Sequence, residues 1–210
     1  MTVHTGAAAR GLGLGLASIL LGGALSACGS SPVTGALAGT VAQQWVDFPT
    51  VLADESTVKQ TLPDPATMPG WKSHRKEVDT ADGTEEDCPG CKLSGTVDFE
   101  ASGAKASFMI TTFAGSSQAT AYLTTTTKKA GQNASPIPVA TIGNETHAFS
   151  GTFDSDTGDV ILMRVGTVVA GVMTTGPSDV PRLQKMATML ARRIEQSAAG
   201  QHADAALDTA

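Results

Sequence analysis

A chain of 210 residues, 41% of them hydrophobic, is long enough for one domain with a packed core, and an aromatic content of 4% leaves that core to Val, Ile, Leu, Met and Ala. With 20 Asp and Glu against 14 Lys and Arg the net charge is -6, which argues against a nucleic-acid binder, because phosphate contacts draw on a basic face. The three cysteines are an odd number, and the unpaired one asks for an explanation.

The N-terminus supplies it. Arg10 is the only Lys or Arg before Lys59, and it precedes an uncharged run, GLGLGLASILLGGALSA, over residues 11–27. That run is shorter than the roughly 20 residues a membrane-spanning helix needs, and it ends in small residues, the pattern of an export signal. Its end, Leu25-Ser26-Ala27-Cys28, resembles the bacterial lipobox. The resemblance implies a lipid on the Cys28 sulfur and cleavage before Cys28. It implies a mature protein lipid-anchored to the cell membrane on its extracytoplasmic face. The competing reading is a secretory signal cleaved nearby with Cys28 free, or a signal anchor. On the lipobox reading residues 1–27 are the signal peptide, and the remaining body carries a net charge of -7. Two or more acyl chains, at about 0.8 kcal/mol per buried methylene, would hold it firmly. Residues 28–44 are small, polar and uncharged, and are expected to form a flexible tether with a reach of roughly 20 Å. Residues 45–198 are expected to form a single domain and 199–210 a disordered tail.

Within the domain, helix and strand signals alternate. Thr50 to Leu62 carries a helix signal stopped by Pro63 and Pro65. Trp71 to Val78 reads as extended without clean alternation, and residues 79–91 as an acidic loop ending in two cysteines. Leu93, Val97 and Phe99 alternate with Ser94, Thr96, Asp98 and Glu100, a strand with one buried face. Ala104 to Phe113 follows after Ser-Gly, so the two strands form a hairpin. Ser116 to Ala130 reads as a helix capped by Ser116, with Ala119, Tyr122 and Leu123 on one face. Pro138 to Phe153 is extended and broken at Gly143-Asn144. A turn over 154–159 leads to Val160–Val165, and Gly166-Thr167 reverses the chain into Val168–Met173. The final helix is capped by Asp179, with Pro181 in its first turn and Leu183, Met186, Leu190 and Ile194 on one face. Arg192 and Arg193 lie near its C-terminus, where the helix dipole favours cations. The sum is α+β: an antiparallel sheet of five or six strands with two or three helices packed on one face.

Few side chains are spaced for chemistry. In an oxidising compartment Cys88 and Cys91, in Cys88-Pro89-Gly90-Cys91, default to a disulfide. A redox-active Cys-x-x-Cys opens a helix, whereas a strand pattern follows Cys91. Zinc would need His74 and His147 as further ligands, and these lack finger-like spacing. Asp154, Asp156 and Asp159 fall short of a calcium loop, since the twelfth position is Val165. They read better as a polar turn. Asp79, Asp82, Glu85, Glu86 and Asp87 read as a solvated loop rather than a cation site. Gly-x-Ser-x-Gly and His-Glu-x-x-His are absent, and Ser116-Ser117 after Gly115 is a helix start. Trp45 and Trp71 mark either a ligand surface or core packing.

Three stretches, in order, carry a resemblance. LPDPATMPGW over Leu62–Trp71, VATIGNETHAF over Val139–Phe149 and ILMRVGTVVAGV over Ile161–Val172 are similar to segments of one actinobacterial group. These are exported lipoproteins, LpqN-like ones among them, and the extracellular sensor-like domains of membrane kinases. The resemblance spans about residues 60–198. It implies a sheet packed by helices and carries over no catalytic residue. The expected function is a lipid-anchored extracytoplasmic binding or sensor-like module of the envelope, not an enzyme, with no cofactor. Its expected partners are the membrane, through Cys28, and an envelope protein or small ligand, but not nucleic acid. A second reading is a carrier of lipid or other hydrophobic cargo between sheet and helices, lined by Met186, Met189 and Leu190. A third is a thiol oxidoreductase using Cys88 and Cys91.

Overall fold

The computed structural model describes residues 44–81, 88–153 and 155–208. The export signal, Cys28, nearly all of the tether, Asp82, Glu85, Glu86, Asp87 and Asp154 lie outside the described residues. In chain order the elements are α1 (Glu55–Thr61), β1 (Lys72–Thr80), β2 (Cys91–Ala101), β3 (Ala104–Phe113), α2 (Ser116–Ala130), β4 (Ala134–Pro136), β5 (Glu145–Phe153), β6 (Asp156–Val165), β7 (Val168–Thr175) and α3 (Val180–Ala198).

The strands form one antiparallel sheet in the order β1-β2-β3-β7-β6-β5-β4. The α+β class is as expected. The described sheet has seven strands rather than five or six, and the weakly signalled ones lie at its edges. β1 lacks alternation because its register against β2 shifts between Ser73 and Lys76. β4 is three residues long and ends in Pro136, a residue that sheets tolerate only at edges.

Alternation in β2 holds as read: Leu93, Val97 and Phe99 are buried, while Thr96 and Glu100 are exposed. The β2–β3 hairpin turns on Ser102 and Gly103, with φ of 49° and 82°. Two positive φ values at the turn match the right-handed twist of the strands. Gly166, at φ 60°, opens the two-residue turn between β6 and β7.

The two faces of the sheet are covered differently. α1 and α3 share one face, over Val97, Phe99, Phe108, Ile110, Ile161, Met163, Ala170 and Val172. The rings of Phe99 and Phe108 meet edge to face there, 5.7 Å apart. α2 lies on the other face, where Ala119 and Leu123 meet Phe113, Val160, Leu162 and Val169. β6 and β7 are therefore buried on both sides, which explains their near-continuous apolar runs.

The helix ends differ in detail from expectation. Gly115, not Ser116, is the N-cap of α2, and no side chain caps it. Inside α2 the hydroxyls of Thr120, Thr124, Thr125 and Thr127 donate to carbonyls three or four residues back. A run of threonines thus satisfies itself within the helix. Asp179 caps α3 as expected, accepting from the Arg182 N–H at 3.0 Å.

The expected disordered tail is corrected over its described part. Ala203 and Leu207 are buried, and the Leu207 N–H donates to the Thr67 carbonyl at 2.9 Å. The Gln196 side chain donates to Asp204 at 2.6 Å and accepts from the Asp204 N–H at 3.1 Å. An apolar residue with a place to insert, and an amide that matches its backbone, outweigh the polar composition of the segment. At the other end Asp47 pairs with Arg164 at 2.7 Å, and Thr167 Oγ1 donates to the Thr50 carbonyl at 2.6 Å. Residues 45–50 are thereby fixed across the β6–β7 turn.

Candidate functional site

Cys88 and Cys91 stand at disulfide distance, with Cα atoms 5.6 Å apart. Gly90 makes the turn at φ 84°, and a Cβ there would meet the Gln118 side chain of α2 at 3.0 Å. Cys91 is buried with Phe113, Ala119 and Leu123, and it begins a strand rather than a helix. The pair therefore does not open a helix of its own, as the cysteines of a redox-active Cys-x-x-Cys do. The pair sits as a local staple between the start of β2 and α2. Closing so short a loop restricts the unfolded chain by about 2 kcal/mol. Reduction is expected to lower the melting temperature by about 4–8 °C in a calorimetric scan, with folding retained. Complete unfolding on reduction would show that the staple does more than pin a turn.

The other sequence candidates are dispersed. His74 lies 3.0 Å from Glu100, and His147 lies 3.0 Å from Glu145. They sit on β1 and β5 with four strands between, roughly 24 Å at the usual strand spacing. The structure brings neither to the cysteines. Asp156 is exposed at the start of β6 and Asp79 is exposed on β1. Asp159 is instead buried and accepts from the Ser178 hydroxyl, tying β6 to the entry of α3. Among the described residues no three His, Cys, Asp or Glu side chains gather as a metal site. Trp71 is buried beneath the Arg182 guanidinium, which stands 5.4 Å from the ring centre. Trp45 packs against the core and its Nε1 donates to the Thr141 carbonyl at 3.4 Å. Packing accounts for both rings, although the Trp71 Nε1–H is buried without a hydrogen-bond partner.

Two open cavities adjoin at Arg192 on the outer side of α3. One, of about 570 Å³, is lined by Gln184, Lys185, Thr188, Met189 and Leu207 among others. The second, of about 550 Å³, is lined by Val46, Phe48, Glu195 and Gln196. Val46 is 62% exposed, the large apolar side chain that the described surface leaves open. Helical phase creates this groove: the buried stripe of α3 faces the sheet, and the residues between point outward under the returning chain.

Arg193 escaped the sequence reading, which grouped it with Arg192 as a dipole cation. Among the described residues it is the largest fully buried side chain. Nε donates to the Thr61 carbonyl at 2.8 Å, and the two terminal nitrogens donate to the carbonyls of Gln60 at 2.7 Å, Leu62 at 3.2 Å and Ala205 at 3.0 Å. The signal was in the phase. Position 193 follows Leu190 by three and falls on the apolar face, whereas 192 does not.

Beside it, Lys76 Nζ donates to the carbonyls of Leu62 at 3.1 Å and Pro63 at 3.3 Å. Burial pushes the Lys76 amine below the usual lysine range; Asp64 opposes the shift, while Arg193 and Lys59 add to it. Burial likewise lowers Arg193, against Asp64 and Asp204. Lys76 and Arg193 open on a cavity of about 310 Å³ whose other lining residues are Ser56, Lys59, Gln60, Asp64 and His202.

Compared with protein-family models and with curated proteins, the chain matches none. Among solved structures it is similar to the extracellular domain of PknH from Mycobacterium tuberculosis, with 10% identity and a TM-score of 0.47, over 74% of this chain and 100% of that one. Among the described residues no helix is long and apolar enough to cross a membrane.

Proposed function

We propose that this chain is a lipid-anchored extracytoplasmic binding module of the envelope, without enzymatic activity, that holds its ligand or partner in the groove along α3. The groove is the observation that supports binding. It is open, it combines cationic Lys185 and Arg192 with apolar Met189 and Leu207, and it belongs to a rigid helix. Such mixed, concave surfaces recognise ligands. The anchoring half of the reading rests on Leu25-Ser26-Ala27-Cys28 behind an uncharged run. The carrier reading is less well served. Met186 and Leu190 have no exposed surface and fill the sheet–helix interface, while Met189, 3% exposed, reaches only the open groove on the outer side of α3 and no chamber between sheet and helices.

The test uses the full chain in its native host. Wild type is expected to take up an alkyne-tagged palmitate and to fractionate with membranes, and Cys28→Ser to lose both. A photo-crosslinking residue placed at Thr188, in the groove, is expected to yield discrete adducts. The same residue at Thr96, on the open face of β2, is expected to yield none. An unlabelled wild type would remove the anchor, and equal adducts at the two positions would remove the groove.

A further inference from the structure

We propose that the open cavity between α1, β1 and the C-terminal end of α3 is a binding site for a phosphate-class oxyanion. It is separate from the groove along α3, so its failure would leave the binding reading standing.

Its lining holds three basic side chains, Lys59, Lys76 and Arg193, against a single carboxylate, Asp64. Counting Lys, Arg, Asp and Glu alone, that is a formal surplus of two positive charges in a protein whose net charge is -6. Among the described residues no carboxylate lies within ion-pair distance of Lys59, Lys76, Arg193 or His202. Asp64 is itself engaged, with Oδ1 accepting the N–H groups of Ala66 at 2.9 Å and Thr67 at 3.1 Å.

Carbonyl oxygens hold the two inner cations in place without neutralising them. The end of a helix offers only about half a negative charge. α1 is seven residues long, which makes even that an upper figure. Burying two cations side by side is costly unless a counter-charge joins them. The lowered lysine range of Lys76 is the same cost seen from the proton's side.

The volume has room for a compact dianion. At about 30 Å³ per water, a cavity of about 310 Å³ takes a phosphate with part of its hydration shell. Lys59 and His202 stand exposed at the rim, and Ser56 and Gln60 add neutral polar groups. Lys59 and Lys76 are the cations an anion can reach, with Arg193 a buried charge behind them, and charged donors are the usual means of phosphate recognition. A free phosphate ester and a phospholipid headgroup share this chemistry.

Calorimetric titration of the full chain in neutral phosphatidylcholine vesicles with inorganic phosphate tests the site. Saturable binding with a dissociation constant near about 1 mM is expected. Lys59→Ala is expected to weaken it by about 5- to 10-fold and Lys59→Glu to abolish it. Lys105→Ala, which makes the same change in net charge at an exposed place on β3, is expected to leave it unchanged. In vesicles containing phosphatidylglycerol, weakened phosphate binding identifies the headgroup as the occupant; unchanged binding identifies a soluble phosphate. Either result supports the site. No saturable heat, or a loss in Lys105→Ala equal to that in Lys59→Ala, overturns it. Lys59 is exposed, so its variants are expected to melt with wild type, and circular dichroism confirms that the loss is not one of fold.

Discussion

Arg193→Met is expected to lower the stability of the domain by about 4 kcal/mol, a loss of about 8–16 °C in melting temperature. Met keeps the length of the buried alkyl chain, so packing is largely preserved. What disappears is a fork of donors serving four carbonyls: Gln60, Thr61, Leu62 and Ala205. Three belong to the C-terminal end of α1, where helix carbonyls have no partner within the helix. A buried carbonyl left without a partner costs about 1–3 kcal/mol. Relief of the buried guanidinium charge offsets part of that, which keeps the sum near 4 rather than higher. A helix of seven residues has little stability of its own. The same side chain also holds residue 205, so the returning chain should loosen together with α1. Arg193→Lys is expected to fall between, because a point-like ammonium keeps the charge but not the planar fork. Urea denaturation of the three proteins measures the order. A Met variant within 1 kcal/mol of wild type would show that water replaces the guanidinium at little cost.

Arg193 also marks the boundary of what sequence can reveal. Elements whose signal is local were legible. The alternation of Leu93, Val97 and Phe99 and the stripe Leu183, Met186, Leu190, Ile194 each lie within one element, and each is buried as the period requires. β1 was less legible, since its bulge breaks the period and its charges, Lys72 to Asp79, are those of a protected edge strand. The side of the sheet taken by α2 depends on the path of the chain after Phe113, which no periodicity encodes. Leu207 gave no signal because its burial depends on meeting Thr67, far away in the chain. The cationic cavity is the extreme case. Its members, Lys59, Asp64, Lys76, Arg193 and His202, come from both ends of the domain, and no spacing rule connects them.

Gly143→Ala is expected to cost about 3 kcal/mol, although it adds one methyl group. Two causes act together. Gly143 has φ of 75°, a conformation in which an L side chain is strained. A Cβ there would also stand 2.3 Å from the Arg164 carbonyl oxygen and 2.9 Å from the Val165 side chain. The carbonyl cannot step aside cheaply. It accepts the Asn144 N–H at 2.8 Å, and Asn144 Oδ1 accepts the Gly166 N–H at 2.7 Å. Arg164 in turn holds Asp47 and the Gly166 carbonyl, at 2.7 Å and 2.9 Å. Displacing position 143 therefore disturbs the β6–β7 turn and the chain that enters the domain across it. Gly103→Ala separates the two causes. Gly103 has φ of 82°, but nothing stands within 4 Å of its Cβ position. It should pay the backbone strain alone, about 1 kcal/mol. Thermal melts of the two variants are thus expected to differ by about 4–8 °C, with Gly143→Ala the lower. Equal losses at the two glycines would mean that the Arg164 carbonyl yields to the methyl group and that the turn is softer than its hydrogen bonds imply.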